Sequence, residues 1–386
     1  MLKVGMDMIY LAACALHSET PDIDRVRDMD IAAVYKMAKL HSMSSIIYIS
    51  LTPFIEGGVC EVIDQGAAAL MRRDFGISLR KLFALESERA ALTKFFEENN
   101  IWYLTLKGIL LQDLYPKMGM RQMTDNDILI NPRCAKRVKK YFVNRGYEVY
   151  SYGKGCHDIY IKDSVTFEIH RSLAADTKKN EKASAFCDSA VERSLLTANS
   201  PALRLSEEDF YVYYIFHTYK HFSGSGCGIR SLMDIFVYTE SKRNTLDREH
   251  VSETLGLIDL FAFERSARSL SEKLFAGGIS CRIEDFNEEE RELLLYFISS
   301  GTFGTRERLM RNTLDDISEN KEIGARVKLK YILGRVFPRF EYYRLSYPRL
   351  YKFIVTIPFL WLIRLFRGLK RSRDVKDEMR ELKNLK

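Results

Sequence analysis

Apolar residues recur at helical spacing through the first hundred positions of the chain. Residues 31–41 place them at i, i+3 and i+4, and residues 46–51 continue that pattern toward Pro53. Residues 75–99 predict a long amphipathic helix carrying Leu79, Leu82, Phe83, Glu86, Ala90 and Leu92, ended by Asn99-Asn100. The period then changes. Residues 101–106 form a continuous apolar run with strand character that enters Lys107-Gly108. Residues 109–115 return to helical spacing and stop at Pro116. Residues 124–130 predict a second strand, and Asn131-Pro132 opens a basic helix over 135–144. Residues 147–152, 157–161 and 165–170 predict three further strands, the last two joined by a hairpin turn at Lys162-Asp163-Ser164. Helical patterning resumes over 206–240 and 255–310, with a capped start at Asn287 and a turn at 302–306. The expected fold is α+β. A small mixed β-sheet core (residues 101–200) lies between an N-terminal helical region (1–100) and a C-terminal helical region (201–323). A basic amphipathic tail (324–386) follows.

The chemistry concentrates in the strand-rich core. In Thr124-Asp125-Asn126-Asp127-Ile128-Leu129-Ile130, two carboxylates stand one residue apart. If both lie on a strand they project to the same face, while Asn126 and Ile128 point back. Two like charges that close repel each other unless a cation sits between them. A hard divalent ion such as Mg²⁺, which takes oxygen ligands and brings phosphates with it, meets that need. Glu168, embedded in Val165-Thr166-Phe167-Glu168-Ile169-His170, offers a third carboxylate from a neighbouring strand. Together the three supply the ligand set that in-line displacement at phosphorus uses. The strand, the Lys107-Gly108 turn and the helix start behind it present a cation and backbone N–H groups to a phosphate.

The run Leu106-Lys107-Gly108, Leu114-Tyr115-Pro116, Arg121, Thr124, Asp125 and Asp127, followed by Phe167-Glu168-Ile169-His170, resembles the uncharacterised nucleotidyltransferases of the DNA polymerase β-like superfamily. The resemblance is densest over residues 95–175. Lys107-Gly108 stands where many superfamily members carry Gly-Gly or Gly-Ser, and Asn126 replaces the usual apolar residue between the aspartates. The resemblance implies a Mg²⁺-dependent transfer of an NMP group from an NTP to an unknown acceptor, with release of pyrophosphate. In that reading Asp125, Asp127 and Glu168 hold one or two metal ions. Glu168 also takes the acceptor's proton, Lys107 and Gly108 meet the triphosphate, and Arg121 neutralises pyrophosphate. The competing reading is a non-catalytic nucleotide-binding or scaffolding protein, membrane-associated in an envelope-glycan pathway.

Elsewhere the residues add constraints. With 386 residues, 46% hydrophobic and 29% charged, the chain has the composition of a soluble globular protein. Its seven cysteines (14, 60, 134, 156, 187, 227 and 281) show no C-x-x-C pair, which is the pattern of reduced thiols and a cytoplasmic location. Residues 1–15 carry Lys3 and Asp7 within their apolar stretches, and no signal peptide is expected. The net charge of +7 is unevenly placed. Residues 324–386 hold 17 Lys and Arg against 5 Asp and Glu, a balance of +12, so the remaining 323 residues sum to −5. A mildly acidic body does not favour a nucleic-acid partner. Residues 353–363 form an apolar run too short to span a bilayer, which needs about 20 residues. Arg364, Arg367, Lys370, Arg371 and Arg373 behind it suit either peripheral contact with an anionic membrane or a helix docked on the body. His41 is expected to cap helix-end carbonyls. His217 and His221 share a helix face without the H-E-x-x-H arrangement, and residues 223–228 form a glycine-rich helix–helix connection rather than a phosphate loop. Arg230 and Asp234, four apart, suit a local ion pair, while the family resemblance, which implies a His-rich helix and then an Asp in this region, leaves supporting or nucleotide contacts open.

Overall fold

The computed structural model describes residues 1–56, 63–174, 181–276, 282–318, 324–338, 343, 378–380 and 382. Five helices open the chain: α1 (Leu2–Leu16), α2 (Ile23–Arg27), α3 (Ile31–Leu40), α4 (Ser44–Glu56) and α5 (Gln65–Glu98). Three of them start at aspartates whose side chains accept an otherwise orphaned N–H: Asp22 from Arg25, Asp30 from Ala33 and Asp64 from Ala67. The long amphipathic helix begins ten residues earlier than its apolar spacing predicts, because Asp64 caps it at that point.

Six strands form one mixed sheet: β1 (Tyr103–Thr105), β2 (Asn126–Ile130), β3 (Glu148–Ser151), β4 (His157–Lys162), β5 (Val165–His170) and β6 (Ala202–Leu203). Their spatial order is β3-β4-β5-β2-β1-β6. β2 runs parallel to β5, β1 runs parallel to β6, and the other neighbours are antiparallel. Between the strands lie α6 (Gly108–Gln112), α7 (Ala135–Asn144) and α8 (Glu181–Thr197). The C-terminal helices are α9 (Glu207–Phe222), α10 (Ile229–Ser241), α11 (Arg248–Leu257), α12 (Phe261–Phe275), α13 (Glu288–Ser300), α14 (Arg306–Ile317) and α15 (Ala325–Val336). α13 begins at Asn287 with a full capping box closed by Glu290, as the sequence Asn-Glu-Glu-Glu predicts. The α+β class and the mixed sheet between helices are therefore both present.

Strand alternation sends each sheet face to a different core. On one face Ile128, Ile130, Tyr160, Phe167 and Ile169 pack against Leu82, Leu85, Leu92 and Phe96 of α5 and against Val138 and Phe142 of α7. Phe142 stacks on Tyr160 with ring centroids 4.1 Å apart. Leu104, Leu106 and Leu129 instead join a larger core that runs from α1, α3 and α4 through α9, α10 and α12. His41 sits inside this larger core at 1% exposure. It lies 3.1 Å from the Ile298 carbonyl through Nε2, and its Nδ1 accepts the Ile229 N–H. As expected it caps helix-end carbonyls, its backbone N–H bonding the Met37 carbonyl of α3 and its ring meeting a carbonyl in the last turn of α13, and it thereby ties α3 to α10 and α13. Residues 223–228 connect α9 to α10, and Asn312 of α14 holds that connection by donating to the Gly224 carbonyl at 2.7 Å.

The apolar run at 353–363 and the arginines behind it lie outside the described residues. No described helix is long and apolar enough to cross a membrane. The chain end does return to the body. Glu378 accepts from the Tyr331 hydroxyl at 2.6 Å and from Arg335 at 2.7 and 2.8 Å, and Leu382 packs on Met310, Leu314 and Tyr331.

Candidate functional site

Register places the candidate side chains. β2 and β5 pair Asp127 with Glu168 and Leu129 with His170, while β4 and β5 set His157 opposite His170. Asp127, Glu168, His170 and His157 consequently share one sheet face. Asn126 points to the other face, where its amide donates to the Leu85 carbonyl at 3.0 Å and its oxygen accepts from Arg89 at 3.1 Å. The unusual polar residue between the two aspartates thus fastens β2 to α5. Asp125 stands just before β2 rather than inside it, and its carboxylate accepts the Thr124 hydroxyl at 3.0 Å. Strand phase therefore orients Asp127 but not Asp125.

The cation that two close carboxylates require is partly built in. Lys107 is the N-cap of α6, held at φ +47°, and its Nζ lies 2.7 Å from Asp127 Oδ1. His170 Nε2 meets the same oxygen at 2.8 Å. Burial alone would raise the Asp127 carboxyl, but the Lys107 ammonium and the His170 hydrogen bond hold it well below the usual range. The Lys107 charge also acts on the other two acids but does not outweigh their burial and the Asp127 charge. Burial and the Asp127 charge push Glu168 up to about 7, and the same two causes raise Asp125. Lys107 and the more distant Arg230 face three carboxylates, which leaves room for further positive charge. One ligand atom from each of Asp127, Glu168 and His170 lies within 4.8 Å of the others, a spacing that one ion can span. Asp125 falls outside that set, although its charge still acts on Glu168. The donor chemistry fits a hard divalent ion.

The family model described as Uncharacterised nucleotidyltransferase matches residues 27–276. The chain belongs to this family. The family-level activity is nucleotidyl transfer, and the match runs from the end of α2 to just past α12, so it takes in the whole sheet and α9. No curated protein and no solved structure matches the chain.

Within this family member two expected roles change. Arg121, expected at pyrophosphate, is 8% exposed and faces Asp234, which is 2% exposed. Its Nε and Nη2 donate to the two oxygens of Asp234 at 2.8 and 2.9 Å, a bidentate pair that commits the guanidinium to α10. The Tyr115 and Tyr214 hydroxyls complete the same carboxylate at 2.6 and 3.1 Å. Asp234 is therefore occupied by Arg121 and not by Arg230, its neighbour four residues back. Gly108 also has a packing reason. A Cβ there would stand 2.7 Å from Arg121 Nη1 and 3.1 Å from the Met123 side chain. A Gly108→Val substitution would push on a buried ion pair, so it does not report cleanly on phosphate binding.

Four residues of the site were not assigned from sequence. His170 was read only as part of a strand motif. Arg230, half-buried, donates to the Gln122 carbonyl at 3.2 Å, lowers Asp125 through its charge, and forms no ion pair among the described residues. Tyr213 and His217 of α9 face the cluster closely enough that the Lys107 and Asp127 charges act on both. His217 and His221 approach each other at 3.1 Å through their Nε2 atoms. Burial, with nearby Lys220 and Lys107, lowers His221 to about 4, so this pair is neutral near pH 7. The i, i+4 spacing was the available signal for the histidines. Nothing local could have aimed them at a strand about 90 residues earlier.

Proposed function

We propose that the chain is a Mg²⁺-dependent nucleotidyltransferase that moves an NMP group from an NTP to an acceptor hydroxyl or phosphate. The observation that carries this reading is the pairing of Asp127 with Glu168 on adjacent parallel strands, with Asp125 at the strand entry and Glu168 raised to about 7. Mg²⁺ held by Asp125, Asp127 and Glu168 would supply charge that polarises the α-phosphate and orients it for in-line displacement. In the transfer the acceptor oxygen bonds to the α-phosphorus. The bond from that phosphorus to the oxygen bridging the β-phosphate breaks, and pyrophosphate leaves. Glu168, the carboxylate on the strand next to Asp127, is the residue assigned to take the acceptor's proton. Lys107 brings a buried ammonium to the triphosphate side of Asp127. Arg230, rather than Arg121, is the guanidinium free to meet the charge that builds on the leaving pyrophosphate.

The acceptor is identified by incubating the protein with Mg²⁺, cell extract and each α-labelled NTP in turn, then characterising the labelled product. Label transfer by the wild type and its loss in Asp127→Asn support the reading. Absence of transfer from every NTP, with Mg·NTP binding intact, would instead favour the non-catalytic nucleotide-binding alternative.

A further inference from the structure

We infer that Cys156, His157 and His170 form a site for a borderline-soft divalent ion such as Zn²⁺, adjoining the carboxylates and sharing His170 with them. One ligand atom from each of these three residues lies within 4.8 Å of the others. Cys156 Sγ and His157 Nδ1 are already 3.6 Å apart. Tetrahedral bonds of about 2.0–2.3 Å put ligand atoms roughly 3.3–3.8 Å from each other, so that contact has coordination spacing. The His157 and His170 rings are neighbours across β4 and β5, with centroids 5.0 Å apart and planes inclined at 44°.

His170 carries the second observation. It is 4% exposed, its Nε2 is bound to Asp127 Oδ1 at 2.8 Å, and its Nδ1 is buried with no hydrogen-bond partner. A buried imidazole nitrogen left unpaired costs about 1–3 kcal/mol unless something fills the role. An imidazole that gives one nitrogen to a carboxylate and keeps the other free has the arrangement of histidines that ligate metals. There the carboxylate fixes the tautomer and makes the free nitrogen more basic.

The donor set decides the ion. A thiolate and two neutral imidazoles are poor ligands for Mg²⁺ and good ones for Zn²⁺. The backbone is held for the purpose: the Cys156 carbonyl accepts the Arg171 N–H at 2.7 Å, which fixes the entry to β4 beside the end of β5. Three protein ligands leave a fourth position open to water or a small anion.

The test uses the full chain stripped of metal by chelation and titrated with Co²⁺, a coloured stand-in for Zn²⁺. We expect a near-ultraviolet thiolate-to-cobalt charge-transfer band that Zn²⁺ abolishes and Mg²⁺ does not. Cys156→Ser should remove the band, and His157→Gln should weaken Co²⁺ binding by at least about 10-fold, the loss that even a supporting residue brings. Cys134→Ser and Asp125→Asn should keep it. Co²⁺ binding without a thiolate band, or a band that survives Cys156→Ser, would overturn the assignment. The readout needs no nucleotide, so it succeeds or fails independently of the proposed transferase activity.

Discussion

The Arg121–Asp234 pair offers a quantitative test of which residues hold the fold and which await substrate. Asp234 collects two guanidinium hydrogens and two tyrosine hydroxyls inside the protein. Two unit charges about 4 Å apart at an effective dielectric of 20 attract by about 4 kcal/mol. Breaking a buried pair from one side costs about 3–5 kcal/mol, because the remaining charge stays buried without its partner. We therefore expect Asp234→Leu and Arg121→Met each to lower unfolding free energy by about that amount, against a typical total of about 5–15 kcal/mol. The double variant should fall short of the sum by roughly 2–3 kcal/mol, since neither charge is then stranded. It should not return to wild type, because Tyr115 and Tyr214 still lose their acceptor. Urea unfolding measures this as a shifted midpoint at unchanged slope. Burial opposes the Asp234 charge, but Arg121 and Arg230 hold its carboxyl below the usual range. Its contribution is thus complete above the unfolded value of about 3.9 and is lost as pH falls through it toward the folded value. An Arg121→Met variant that unfolds at the wild-type midpoint yet loses nucleotide would refute this reasoning and return Arg121 to the phosphates.

Three further outcomes are expected. Gly108→Ala should destabilise by about 1–3 kcal/mol in the same urea assay, through overpacking against Arg121 and Met123. Burial lowers His41 to about 4, so the unfolded chain binds the extra proton between about pH 6.5 and 4. Stability should therefore fall as pH drops through that window, by about 3 kcal/mol for this residue, and His41→Gln should flatten the slope in pH-dependent unfolding. Glu168, raised to about 7, must lose its proton to bind a cation. Mg²⁺ affinity, read by calorimetry, should rise with pH through about 7 in the wild type and vary less in Glu168→Gln.

Where a feature depends on local periodicity, the sequence discloses it. β5 and α7 stand at their predicted bounds, and Asp163 adopts φ +51° in the predicted hairpin turn. The shared face of Asp127 and Glu168 follows from alternation once two strands are adjacent. β6 was invisible because two residues paired in parallel with β1 leave no periodic signal. The larger differences come from long-range partners. Arg121 looked like a substrate cation because its carboxylate lies 113 positions away, on a helix whose own spacing suggested Arg230 as the partner. Lys107 looked like a phosphate ligand and is also the counter-ion of Asp127, a contact that joins the start of α6 to β2 only after folding. Asp125 was placed on a strand that begins one residue later. Leu382 covers Met310 and Leu314 of α14, a contact about 70 positions apart that no local spacing announces. Removing residues 350–386 would therefore also uncover part of the body.

The central claim is that Asp125, Asp127 and Glu168 form a metal–nucleotide site, and Mg²⁺-dependent nucleotide stabilisation tests it most directly. At 100 times the dissociation constant a ligand that binds only the folded state adds about 2.7 kcal/mol. The wild type should show a rise in thermal midpoint with Mg²⁺ and NTP together but not with either alone, and Asp125→Asn should lose it while keeping its midpoint without ligand. A rise that persists in Asp125→Asn, or one that needs no Mg²⁺, would contradict the account.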